Sequence, residues 1–128
     1  MIVSSEIARG LDIYELAVSP LISQNELDAA KTVKFPYWNT QDQQKIVWPQ
    51  TYVLARAYLD QLERSQGLPA DRIKSVRSTL ASAEKRPAKE RAATLTTLAT
   101  QLDAAAASSS DAGKVRMLAT TVAALGVQ

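Results

Sequence analysis

The spacing of apolar residues changes character along the chain. Near the N-terminus two short β-prone runs, Ile2–Ile7 and Leu11–Leu16, flank Ala8-Arg9-Gly10. In the second run Leu11 and Ile13 alternate with Asp12, and Tyr14 breaks the strict alternation. Two such runs joined by a glycine-containing turn predict a β-hairpin. A lone two-stranded hairpin is marginal in water. The rest of the chain offers no further strand pattern, so residues 1–16 form a hairpin with no sheet of its own.

Residues 17–47 carry little periodicity. Ser19-Pro20 punctuates the segment. Ser23 stands three before Glu26, the spacing of a capping box, which predicts a short helix over 24–33. Phe35-Pro36-Tyr37-Trp38 gathers three of the seven aromatic residues beside a proline. A stacking surface for a ligand is one reading of that cluster. The favoured one is packing, as a lid on a small core or against a neighbouring domain.

From Trp48 to the end, residues 48–128, the period is helical. Pro49 suits a first helical position, and Trp48, Tyr52, Ala55, Leu59 and Leu62 share one helix face up to a stop at Gly67. After Leu68-Pro69, Ile73, Val76, Leu80 and Ala83 repeat the pattern as far as Pro87. Ala88, Ala92, Leu95, Ala99, Leu102 and Ala106 make the third face. Ser108-Ser109-Ser110 reads as a linker, with Asp111 as the cap of the next helix. Val115, Leu118, Val122 and Leu125 complete a fourth face that ends at Gly126. Short connections force antiparallel neighbours. The expected fold is mainly α: an up-and-down antiparallel four-helix bundle with a short extra helix and an N-terminal β-hairpin. Alanine at many interior positions predicts a slim core rather than a cofactor cavity.

Composition narrows the chemistry. The 128 residues include neither His nor Cys, which removes disulfides, thiolate nucleophiles, Cys-based metal sites and the commonest general base. No cofactor, metal site or catalytic group is expected. Asp60 and Glu63, three apart on the first long helix, are the one carboxylate pair with acid/base or cation-binding spacing. Arg56 and Arg64 lie within reach, so a salt-linked surface face is the favoured reading. Lys85, Arg86 and Lys89, with Arg91, make the densest basic cluster. It lacks interleaved aromatics, and a net charge of +2 is too small to imply a nucleic-acid partner. The charge is uneven: residues 1–64 carry 6 basic and 8 acidic groups, residues 65–128 carry 9 and 5. No apolar run is long enough for a membrane span. No signal peptide is visible at the start of the sequence.

The segment Met1-Ile2-Val3-Ser4-Ser5-Glu6-Ile7-Ala8-Arg9-Gly10-Leu11-Asp12-Ile13-Tyr14-Glu15-Leu16 resembles the closing stretch of a β-propeller in secreted bacterial proteins with LVIVD repeats, where an apolar, Ser- and Glu-containing strand precedes Arg-Gly-Leu-Asp-Ile. Parts of residues 21–65 are similar to a helical tail appended to some of those proteins. The resemblance implies the C-terminal part of a larger exported protein, extracellular or periplasmic; a chain complete as it stands would be cytoplasmic. It implies no reaction and carries over no functional residue.

The expected function is therefore a non-catalytic interaction or stabilising module. Its partner would be a protein or the adjacent propeller, with Phe35, Tyr37, Trp38, Lys85, Arg86 and Lys89 as contact residues. The orphan hairpin edges add an expected homo-oligomer. The alternatives are a small-ligand-binding or enzymatic domain using the aromatic loop with Asp60 and Glu63, and a nucleic-acid-binding bundle using the basic cluster.

Overall fold

The central helix of the molecule, α2 (Tyr52–Arg64), starts where Thr51 can cap it: the Thr51 hydroxyl accepts a hydrogen bond from the Leu54 amide at 3.1 Å. The helix therefore begins three residues after Pro49, not at it, and Trp48 reaches the core from outside the helix as a partly buried side chain. A computed structural model describes residues 2–128, with Glu6 and Thr40 described by backbone alone. Met1, the first residue of the expected hairpin segment, lies outside the described residues.

Mainly helical, with an N-terminal two-stranded antiparallel hairpin, the architecture is the one the periodicities predict. Besides α2, the helices are α1 (Gln24–Thr32), α3 (Ala70–Glu84), α4 (Ala88–Ala106) and α5 (Ala112–Gly126). The contacts run α2–α3, α3–α4, α4–α5 and α2–α5, which closes a ring of four helices, and α1 docks on the outside of α2. The closest-packed pair is α4–α5, where Ala99, Ala106 and Ala119 are buried and allow close approach.

The buried faces of α3 and α5 include Ile73, Val76, Leu80 and Ala83, and Val115, Leu118, Val122 and Leu125, as spaced in the sequence. Two faces differ from expectation. On α4 the stripe is Leu95, Leu98, Ala99, Leu102 and Ala106, while Ala88 is exposed and Ala92 half-buried. On α2 the buried set widens to Leu54, Ala55, Ala57, Tyr58, Leu59 and Leu62. This helix touches α1, α3 and α5, so no single stripe can serve all its contacts.

The caps explain the corners. Ser23 and Glu26 form the complete capping box at the start of α1, and Asp111 caps α5 by accepting from the Lys114 amide. At the end of α2 the left-handed residue is Gln66 (φ 53°), not Gly67. The Gln66 amide donates to Glu63 and the Gly67 amide to Leu62 at 2.8 Å, the double bond of a Schellman motif. Gly67 is needed for space instead: a Cβ there would stand 2.6 Å from Leu62 Cδ2 and 3.1 Å from Asp111 Cβ.

The serine run is more than a linker. The Ser109 hydroxyl donates to the Gly67 carbonyl at 2.6 Å, and the Ser110 hydroxyl to the Gln66 carbonyl at 3.3 Å. These bonds tie the α4–α5 loop to the α2–α3 loop, so the same end of the bundle is latched twice.

Strands β1 (Ile2–Glu6) and β2 (Gly10–Tyr14) pair antiparallel, with Val3 opposite Ile13 and Ser5 opposite Leu11. The intervening loop, residues 7–9, closes at Gly10, whose φ of 90° suits glycine. Among the described residues the strands contact each other and none of the helices.

Candidate functional site

The register of the hairpin sorts its side chains. Val3, Ser5, Leu11 and Ile13 share one face, and Ile2, Ser4, Asp12 and Tyr14 share the other. The first face is therefore apolar apart from one serine. Val3 is 54% exposed, Leu11 63% and Ile13 61%. Leu16, Val18 and Leu21, which follow, are also exposed, so the apolar surface continues toward α1. Among the described residues, both outer edges of the two-stranded sheet lack a neighbouring strand. An uncovered apolar face beside open edges is the surface on which further strands pair.

Asp60 and Glu63 are salt-linked, but through partners the linear sequence did not indicate. Arg77 of α3 reaches both, at 2.6 Å from Asp60 Oδ1 and 2.8 Å from Glu63 Oε2. Asn25 of α1 donates to Asp60 Oδ2 at 2.8 Å. Burial weighs against the charge on Arg77, but hydrogen bonding and attraction from Asp60, then from Glu63, outweigh it and raise its pKa above the ordinary value. The pair clamps α1, α2 and α3 together: both Asp60 oxygens are engaged, by Arg77 and Asn25, while Glu63 offers one oxygen to Arg77 and stays largely exposed. The arginines expected beside it go elsewhere. Arg56 pairs with Glu84 of α3, and Arg64 grips Glu26 of α1 through two bonds of 2.7 and 3.1 Å.

Glu26 is the most perturbed acid. The hydrogen bond from Arg64 holds its carboxyl down at about 2, against an opposing effect of burial and with help from the Ser23 amide. Arg64 is raised in return. A helix cap and an interhelical ion pair thus share one side chain, which fixes α1 on α2. Among the described residues no group of three or more acidic, His or Cys side chains could hold a metal ion.

Phe35 and Trp38 pack on each other, with ring centroids 4.7 Å apart and planes at 58°. They do not cover the core. Phe35, Tyr37 and Trp38 all remain exposed, because Trp48 and Ala29 already close the side of α2 that α1 covers. Lys85, Arg86 and Lys89 are exposed where α3 turns into α4. Near them Tyr52 is affected by Arg91, Glu84 and Arg56, and burial, the largest influence, raises its phenol pKa. The aromatic segment belongs to the α1–α2 connection and the basic corner to the α3–α4 connection.

No family model, curated protein or solved structure matches the chain. The site must speak for itself. No helix is long and apolar enough to cross a membrane among the described residues. The helical interior is filled by Leu59, Leu62, Ile73, Leu80, Leu95, Leu102 and Leu118, all fully buried.

Proposed function

We propose that this chain is a non-catalytic interaction and stabilising module. Its helical bundle carries a hairpin that completes the sheet of an adjacent β-propeller, within a larger exported protein that works outside the cell or in the periplasm. The observation that carries the reading is the hairpin itself, which among the described residues packs on none of the helices yet exposes Val3, Leu11 and Ile13 on one face. A water-exposed apolar strand face loses roughly 25 cal/mol for each Å² left uncovered, relative to burial. Covering it on a neighbouring sheet recovers that free energy and pairs the open edges in the same step. The resemblance of residues 1–16 to the end of an LVIVD-repeat propeller supplies the kind of sheet.

The bundle fits the supporting half of this role. Its core is continuous, Glu26, Asp60, Glu63 and Glu84 are engaged by arginine, and its connections are latched by capping residues and the serine loop. Phe35, Tyr37 and Trp38, with Lys85, Arg86 and Lys89, are further exposed contact residues for the same partner.

Light scattering on the isolated chain tests the reading. Without its sheet, the hairpin pairs with a second copy, so the measured mass rises with concentration. The double substitution Val3→Lys with Ile13→Lys returns the protein to a monomer with an unchanged melting temperature. A mass that is independent of concentration, and the same for both proteins, overturns it.

A further inference from the structure

A groove runs between α1, α2 and α5, with a volume of about 380 Å³, inside the range of roughly 300–1,000 Å³ usual for small-molecule sites. Its apolar lining includes Ile22, Ala30, Leu54, Ala57, Trp48 and Met117. Alanines on both α1 and α2 leave the space open, because longer side chains there would fill it. Neither Asp60, Glu63, Trp38 nor Tyr52 lines the groove, so it is separate from the candidates described above. It is separate from the hairpin as well.

The four polar side chains in the lining, Glu26, Tyr58, Gln61 and Lys114, have different degrees of engagement. Glu26 is fully committed to Arg64 and the Ser23 amide. Lys114, in the first turn of α5, donates to the neutral Gln61 Oε1 at 2.7 Å, and among the described residues it has no carboxylate partner. An ammonium has three donors, and one neutral acceptor leaves both charge and donors in hand. Tyr58 is 7% exposed, and among the described residues its hydroxyl has no hydrogen-bond partner. Burial pushes its phenol pKa up, which keeps the hydroxyl protonated and able to donate.

We propose that this groove binds a small aliphatic monocarboxylate. The carboxylate accepts from Lys114 Nζ and the Tyr58 hydroxyl, and the hydrocarbon lies along Leu54, Ala57 and Trp48. One ammonium and one hydroxyl match a single negative charge, and the apolar walls match a short chain. Met117, 47% exposed, is an adaptable side of the groove. A helical peptide is the poorer fit, because a helix of about 10–12 Å diameter needs a longer trough.

Calorimetric titration of the full chain with sodium octanoate tests the site, with Trp fluorescence as a second readout because Trp48 lines the groove. The expected result is saturable one-site binding in the millimolar range or tighter. Lys114→Gln weakens it about tenfold or more, the loss of a charge-assisted hydrogen bond, while Lys114→Arg retains it. Ala30→Leu fills the groove from an exposed position and abolishes binding without lowering the melting temperature. 1-Octanol, with the same chain and no charge, binds at least about tenfold more weakly. Absence of saturation in the millimolar range overturns the proposal, as does octanoate binding that survives both Lys114→Gln and Ala30→Leu. Binding of a peptide with a C-terminal leucine in place of octanoate would assign the groove to a chain end and also overturn it. None of these outcomes depends on the hairpin, so this proposal and the interaction reading fail separately.

Discussion

Leu59 and Leu11 are the same residue type in opposite circumstances. Leu59, on α2, is fully buried among the helices; Leu11, on β2, is 63% exposed on a strand that contacts none of the helices among the described residues. The bundle satisfies its apolar residues internally, and the hairpin does not. The difference teaches where each region's stability comes from. Helices here are held by tertiary burial and by ion pairs that cross between elements, whereas the strands of the hairpin, among the described residues, pack on no helix and rest on their own ladder.

The sharpest way to break that comparison is to truncate matching residues in the two regions. Leu59→Ala and Leu102→Ala should each cost about 2–5 kcal/mol by denaturant unfolding, the range for buried leucines. Val3→Ala and Ile13→Ala should change the unfolding of the monomeric chain by no more than about 0.5 kcal/mol. A hairpin substitution as costly as a core one would place the hairpin inside the cooperative unit.

Gly67→Ala comes next. Its Cβ would collide with Leu62 and crowd Asp111, so a loss of about 1–3 kcal/mol is expected from overpacking. A neutral result would mean that the double latch at that end of the bundle is loose.

The clasp of α1 on α2 has a pH signature. Glu26 falls from an ordinary 4.5 to about 2 on folding. A depressed folded-state pKa gives stability that is complete above about 4.5 and is lost as pH falls through about 2. Allowing for solvent screening around the partly exposed Arg64, the contribution is about 1–2 kcal/mol. Glu26→Gln should remove that contribution, so that between pH 5 and pH 2.5 the wild-type chain loses more stability than the variant does. An unchanged slope would assign the acid sensitivity to other carboxylates.

The smallest effect expected is a gain. Gln66 holds a left-handed backbone conformation that glycine adopts without cost. Gln66→Gly should stabilise the bundle by about 0.5–1 kcal/mol, measured by thermal or chemical unfolding. A loss would show that the Gln66 side chain contributes a contact of its own.

Much of this fold is legible in the sequence because each helix advertises its own face and ends. Ser23 with Glu26 names a capping box, Asp111 names the start of α5, and Ile73 to Ala83 name the face of α3. What stays hidden depends on contacts between segments distant in sequence. Nothing near Asp60 and Glu63 indicates that Arg77 will serve both, since the choice is made by how α3 packs on α2. The widened stripe of α2 likewise follows from its three neighbours, not from its own period. Gln66 was hidden for another reason: glycine is the expected left-handed residue, and Gly67 beside it drew the stop signal. The groove residues Tyr58 and Lys114 carry no local motif at all, because the groove exists only once α1 and α5 flank α2. The aromatic cluster was visible as a feature, but its exposure could be settled only by seeing Trp48 and Ala29 already in place.

Residue-resolved hydrogen exchange on the monomeric chain tests the central contrast most directly. The account predicts that amides in the middle of α2, α4 and α5 exchange only through global unfolding, while those of β1 and β2 show little protection in dilute solution and gain it as concentration rises. Hairpin amides as strongly protected as those of α4 and α5 in a dilute monomer would contradict it.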